Sequence, residues 1–386
     1  MSKSDVSPQT NGLHAGQGRQ ARGALTWLLP LLVVVAVLVI AAAALISAWR
    51  ASVVAQGTGA SSHLPWPVYF TDPRFPDRSV DHHGGLDEKL SALVDSAKAS
   101  VDVAIYQLDL PGVTQSLLNA AKRGAAVRVV TDIDVLSDPN ENPEFKRLQT
   151  AGIKVVGGNR NGIMHDKFVV VDGAVVWTGS WNFTTNDTYR NNNNAIVIRS
   201  QALAQNYTAA FEQMLVETRF GAAKQPGRTA GDLTINGIHV ENYFAPEDRP
   251  ADRIGARLKQ ARTSIYIMAY SFTDDALGDA VLDAARAGVA VHGIFETTGA
   301  KAYVGEWTKM SGMGLDVLLD GNPYLMHHKV FIIDQQTVVT GSFNFSENAN
   351  HENDENVLII DDPYVAQLYL AEFQKVYRQA QQVQPR

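Results

Sequence analysis

The sequence predicts an α/β fold: two tandem α-β-α domains related by a pseudo-twofold axis, preceded by a single N-terminal transmembrane helix. Three observations predict it. An uncharged apolar run lies before residue 50, short β-branched runs alternate with helical patterns, and the chain after residue 66 repeats itself at an offset of 162 to 164.

The run from Ala24 to Trp49 contains no charged residue. At about 1.5 Å per helical residue it exceeds a hydrocarbon core of roughly 30 Å. Trp27 and Trp49 lie near its ends, where interfacial aromatics are favoured. Lys3, Arg19 and Arg22 precede it, which predicts a cytoplasmic N-terminus and a catalytic part in the periplasm or outside the cell. The competing reading is a signal peptide cut after Ala55, which would release a secreted protein; the run is longer than the about 7–15 residues of a signal core. The expected organisation is a cytoplasmic tail (1–23), an anchor (24–49), a linker rich in Ala, Ser, Gly and Thr (50–65), a first domain (66–220), a second linker with Pro226 and several glycines (221–232), and a second domain (233–386).

Composition is that of an ordinary globular chain: 45% hydrophobic and 19% charged over 386 residues. There are no cysteines, so disulfides, thiol nucleophiles and cysteine-based metal sites are excluded. The first 50 residues hold four basic groups and one acidic group, so the formal −7 of the whole chain becomes −10 for the remainder. An acidic body lacks the footprint of a protein that grips phosphate backbones by counterion release.

The two halves align residue by residue. AKASVDVAIYQL (97–108) matches ARTSIYIMAYSF (261–272), and LNAAKRGAAVRVV (118–130) matches LDAARAGVAVHGI (282–294). MHDKFVVVDGAVVWTGSWNF (164–183) matches MHHKVFIIDQQTVVTGSFNF (326–345). The β-branched runs at Val101–Tyr106 and Val127–Val130 read as buried strands. Between them Val113, Leu117, Ala120 and Ala121 follow helical spacing, with Gly124 as C-cap; in the second half Thr273 or Asp274 is the N-cap and Gly288 the C-cap.

The chemistry resides in the longest matched block. The first copy reads His165-x-Lys167-x4-Asp172-x6-Gly179-Ser180-x-Asn182, and the second His327-x-Lys329-x4-Asp334-x6-Gly341-Ser342-x-Asn344. Alternation along a strand aims His and Lys of each copy to one face. Folded together, the copies offer two imidazoles, two ammonium groups, two hydroxyls and two amides to one small volume, a set suited to a phosphodiester. Lysines and amides would stabilise the non-bridging oxygens. One histidine would attack phosphorus while the other protonates the leaving oxygen. Neither a metal nor another cofactor is expected, because the lysines supply the positive charge.

This pattern resembles the phospholipase D superfamily, over most of residues 66–380. The resemblance implies catalytic roles for His165, Lys167, Asp172, His327, Lys329 and Asp334, the two aspartates as braces of the motif, and phosphate-contacting roles for Ser180, Asn182, Ser342 and Asn344. It implies hydrolysis or exchange of phospholipid headgroups through a phosphohistidine, with phospholipid and membrane as partners and one monomer sufficient for a complete site. Three other readings share these motifs: a metal-independent endonuclease acting on nucleic acid, a cardiolipin synthase-like phosphatidyltransferase, and a membrane-tethered phosphate-binding module without activity. An acidic residue near the end of the block orients the histidine in these relatives. Glu355, 21 positions after Asp334, fits that place, whereas the equivalent after Asp172 is Asn193. The two histidines are therefore expected to be unequal, with Glu355 favouring His327 and a weak lean to His165 as nucleophile. Residues 132–145 and 296–311 are expected to set specificity. His82, His83, His351 and Glu352 read as surface groups, and Tyr106 and Tyr270 as cleft or core.

Overall fold

Two mixed sheets carry the fold of the computed structural model, which describes residues 66–300 and 305–383. In the first, strands β2 (Ser100–Ile105), β3 (Ala126–Asp132) and β4 (Lys154–Gly158) run parallel. On the other side of β2 lie β5 (Lys167–Val171), β6 (Val175–Gly179), β7 (Asn194–Arg199) and the short edge strand β1 (Val68–Phe70), all paired antiparallel. The second sheet repeats the plan with β10 (Ser264–Ala269), β11 (Ala290–Phe295) and β12 (Asp316–Leu319) parallel. Beside β10 come β13 (Lys329–Ile333), β14 (Thr337–Gly341), β15 (Glu355–Asp361), β9 (Ile238–Ala245) and β8 (Asp232–Ile235).

The strands are apolar on both faces because both faces are covered. In β5, Phe168 and Val170 enter a central core while Val169 and Val171 enter an outer one. In β13 the same alternation sends Val330 and Ile332 inward, and Phe331 and Ile333 outward. Helices Leu86–Asp95 and Pro111–Lys122 cover the outer face of the first sheet, and Pro250–Leu258 and Asp275–Arg286 that of the second. The central core is shared. Helices Gln201–Leu215 and Pro363–Val383 lie in it, and each touches a strand of the opposite half, β9 and β1 respectively. The caps follow the local chemistry: Asp274 accepts from the Leu277 amide, and Gly124 and Gly288 take φ of +95° and +94°, where a side chain would be strained.

The fold class is corrected on one point. Among the described residues no helix is long and apolar enough to cross a membrane. The longest, Pro363–Val383, carries Glu372, Lys375 and Arg378 and buries one face in the central core. The expected span at 24–49 lies outside the described residues, as do the tail and first linker. The architecture is thus two tandem α/β units without a demonstrated span, and the single-pass arrangement with a cytoplasmic N-terminus is not supported.

The segment 221–232 is tied down rather than loose. Lys224 is fully buried, 3.0 Å from Glu247 and 3.2 Å from Asp354, and the Asp354 carboxylate also accepts from the Gly221 amide. The chain between the halves is therefore a seam held by buried charge.

Candidate active site

Each histidine motif is hydrogen-bonded to the opposite half. The His165 amide donates to the Asp354 carbonyl at 2.9 Å, and the Asp354 amide to the Ile163 carbonyl at 3.0 Å. The same exchange links His327 to Asn192, and Asn192 to Leu325, at 2.9 Å each. Beneath them lies a matched polar network. Asn194 bonds His328, Thr340 and Tyr369 of the second half, and Asn356 bonds Asp166, Thr178 and Tyr207 of the first. Gly179 and Gly341 let β6 and β14 come close to the start of β7 and β15 in their own halves, where the two asparagines sit. A Cβ at either would stand 2.2 Å from the Asn194 or Asn356 carbonyl, at φ of +156° and +147°.

This crossing brings His165, His327, Asn182 and Asn344 to one cavity of about 610 Å³, which Tyr106 and Tyr270 also line. It also delivers each orienting residue to the other half's histidine. The Glu355 carboxylate, fully buried, meets His165 Nδ1 at 2.8 and 2.9 Å. Asn193 Oδ1 meets His327 Nδ1 at 2.9 Å. The expectation that Glu355 favours its own half's His327 is corrected: the backbone exchange carries it across the seam. With Nδ1–H donated in both cases, each Nε2 is left bare to act.

The lysines lie behind the imidazoles. Lys167 Nζ donates to the His165 carbonyl at 2.8 Å, and Lys329 Nζ to the His327 carbonyl at 2.9 Å. Each stands over a tyrosine ring, Tyr106 at 5.5 Å and Tyr270 at 4.6 Å. Strand β5 begins only at Lys167, so the shared strand face expected for His and Lys gives way to a curl in which Lys braces the histidine backbone. Burial pushes Lys167 down to about 8, and pushes Lys329 well below the ordinary lysine value. Burial and then the two lysines hold both histidines well below their usual value, which favours the neutral imidazoles. Burial lifts Glu355 to about 7, opposed by Lys167, Ser342 and Lys329.

The serines stand beneath the cavity and the aspartates at the far ends of their strands. Ser180 and Ser342 are fully buried and absent from the cavity lining; Ser180 Oγ donates to Asn193 at 2.8 Å, and Ser342 Oγ accepts from the Asn356 amide at 3.0 Å. Asn182 and Asn344 do line the cavity, and their side-chain oxygens are buried without a partner. A turn about the soft terminal torsion would present an amide N–H to an anion there. Asp172 and Asp334 sit at the far ends of β5 and β13, both at φ +53°. Asp172 accepts from the amides of Lys98, Ala99 and Ser100 at 2.7 to 3.1 Å, and Asp334 from those of Arg262, Thr263 and Ser264. They close loops and do not line the cavity of the histidines. Asp172→Ala should therefore lower stability by about 2 kcal/mol, the loss of charge-assisted bonds to the backbone, while kcat per folded molecule holds. Thermal melting and active-site titration check both halves of this; a folded variant with lost kcat would contradict it.

Sequence reasoning missed the acidic character of the mouth. Asp109, Glu141, Glu144 and Asp187 line the cavity, and among the described residues no Lys or Arg does. Asp109 and Glu141 are exposed at the rim. The expected specificity segment 132–145 contributes Asn140, Glu141, Pro143 and Glu144; of 296–311, residues 301–304 lie outside the described residues. Asp187 is buried, with Oδ2 3.6 Å from His327 Nδ1. Comparing the repeats at position 187, which aligns with Ala349, would have exposed it. His82 is partly buried, stacked on Tyr189 at 4.1 Å and bonded to Asp77.

A family model described as cardiolipin synthase, PLD-like domain, matches residues 90–215 and 254–377. The chain is 34% identical over 132 residues to phospholipase D of Rickettsia typhi (strain ATCC VR-144 / Wilmington), a match covering 34% of this chain and 65% of that protein, just under two thirds of its length. It is 31% identical over 159 residues to the mitochondrial cardiolipin hydrolase of Xenopus tropicalis, covering 40% and 75% respectively. Among solved structures it is similar to phosphatidylserine synthase from Haemophilus influenzae Rd KW20, with 16% identity, a TM-score of 0.60, and coverage of 82% of this chain and 89% of that one. That last likeness is one of fold.

Proposed function

The chain belongs to the phospholipase D superfamily, both of its halves being matched by the PLD-like domain model, and from that premise we propose that it is a phosphodiesterase cleaving phospholipid headgroups through a phosphohistidine. His165 Nε2 attacks phosphorus, and the bond from phosphorus to the headgroup oxygen breaks. That oxygen takes a proton from His327, and the alcohol leaves. Water then loses its proton to His327 as its oxygen bonds phosphorus, the P–N bond breaks, and phosphatidic acid departs.

The charges support this order. Lys167 and Lys329 oppose Glu355 and Asp187, so a bound phosphodiester leaves one negative charge for a protonated imidazole to balance. Binding of the substrate anion therefore favours uptake from solvent of the proton that the leaving group needs. Asn182 and Asn344 are set to hold the non-bridging oxygens, while Ser180 and Ser342 steady the partners of the histidines.

The observation that favours lipid over nucleic acid is the mouth. Its carboxylates, with no lining Lys or Arg among the described residues, repel a polyanion and suit a single phosphodiester whose leaving alcohol carries a cation. The test uses residues 56–386 with EDTA, offered phosphatidylcholine or phosphatidylethanolamine in mixed micelles and, separately, single- and double-stranded DNA. Headgroup release without DNA cleavage is expected; DNA cleavage alone would end the lipid reading. Glu141→Lys should lower kcat/KM for the choline lipid about threefold to tenfold, the scale of one rim charge at moderate salt.

A further inference from the structure

We infer that Asp187 supplies His327 with the negative charge that Asn193 cannot, and is a positioning residue for the general acid; this rests on the phosphodiesterase reading above. The two repeats place their orienting groups differently. The second half has Glu355 at the orienting position and Ala349 six residues earlier; the first has Asn193 there and Asp187 six residues earlier. Each carboxylate-bearing position in one half is thus uncharged in the other.

The geometry leaves the amide no latitude. Asn193 Oδ1 accepts from both His327 Nδ1 (2.9 Å) and Ser180 Oγ (2.8 Å), and its Nδ2 is spent on the Asp187 carbonyl at 3.1 Å. Asn193 therefore sets the tautomer of His327 but brings no charge. Asp187 Oδ2, 3.6 Å from the same nitrogen and only 5% exposed, does. The carboxylate is held in place by the Asn182 amide at 2.9 Å and by Asn191 Nδ2 at 2.6 Å.

A purely architectural role explains Asp187 less well. It lies in the first turn of the short helix Thr185–Tyr189, whose N-cap Thr184 accepts from the Asp187 backbone amide. The equivalent helix Glu347–His351 forms with Ser346 accepting from the Ala349 amide, so the turn needs no carboxylate at that place. The groups facing His327 are Lys329, Lys167, His165, the neighbouring His328 and the Tyr270 ring at 4.6 Å. Asp187 is the carboxylate within 4 Å of it among the described residues. Against that surplus of positive neighbours, one buried negative charge decides how readily the ring takes the proton it must donate.

The test compares wild type, Asp187→Asn, Asn193→Asp and the double variant. In Asp187→Asn the basic limb of kcat should move down by about one pH unit. The loss should be at least about tenfold with a choline ester and smaller with a 4-nitrophenyl diester, whose leaving group needs little protonation. Asn193→Asp, which puts a carboxylate directly on Nδ1, should restore the limb in the Asp187→Asn background. A second readout needs no turnover: with inorganic vanadate bound, the ring nitrogen signals of His327 should titrate lower in Asp187→Asn than in wild type. An unmoved His327 titration, or equal losses for both leaving groups with an unmoved limb, overturns the inference. Wild type inert towards every diester, with His327 still shifted by the substitution, would instead overturn the parent reading and leave the role of Asp187 standing.

Discussion

Replacing His165 with Ala is expected to cut turnover of every phosphodiester by about four or more orders of magnitude, because removing the proposed covalent nucleophile would leave only binding and electrostatic stabilisation. His165 lies at the cavity with a fully buried carboxylate on its Nδ1, so on the proposed mechanism its Nε2 would face substrate and the charge developing on the ring after attack would meet Glu355. His327→Ala should cost about 10²–10⁴, the range for a general acid, and should cost least with a good leaving group. The two variants differ in what accumulates. His327→Ala can still form the P–N bond but lacks the base that activates water, so intact-protein mass spectrometry after mixing with an activated diester should find one phosphoryl adduct on His165. Adduct in His165→Ala and none in His327→Ala would exchange the assignments. Unchanged turnover in both would remove the enzyme reading.

Glu355→Gln is the second large effect. A neutral amide keeps the hydrogen bond to Nδ1 but not the charge, and the comparable change in a Ser-His-Asp triad costs about 10⁴; a loss of about 10²–10⁴ in kcat is expected here. The pH behaviour identifies which histidine is affected. Burial lifts Glu355 to about 7; below that value the carboxyl is protonated and no longer offers His165 a negative charge, so activity falls as pH drops through 7. In Glu355→Gln that acid limb should move to lower pH, leaving a profile set by the imidazoles, which burial holds well below their usual value. Stability carries the opposite sign. A carboxyl whose folded value exceeds its ordinary 4.5 takes up a proton on folding between about 4.5 and 7, so stability declines as pH rises through that window. The Gln variant should show a flatter melting temperature across it. An acid limb that stays put would separate Glu355 from the chemistry.

Much of the site was legible because its residues recur. Two copies of one spacing, read against a duplication spanning most of the chain, single out His165, Lys167, His327 and Lys329. The apolar runs that follow each lysine announce buried strands, since residues of both parities are hydrophobic and both faces must be covered. Roles were less legible. Ser180 and Ser342 sit next to functional residues in sequence yet turn beneath the cavity, and Asp172 and Asp334 end their strands in a left-handed turn aimed at backbone amides. A motif records spacing along the chain; it does not say which side of a tight turn faces solvent.

The duplicated α/β plan, the residue types of the candidate site and the inequality of the orienting positions were readable along the chain, because periodicity and repetition are properties of a linear pattern. The pairing came from folding: Glu355 with His165, Asn193 and Asp187 with His327, and an acidic mouth built by loops distant along the chain. The physical reason is the backbone exchange between the halves. Hydrogen bonds from the His165 and His327 amides to the opposite half carry each orienting side chain across the seam, and contacts made across such an interface depend on which surfaces meet in space.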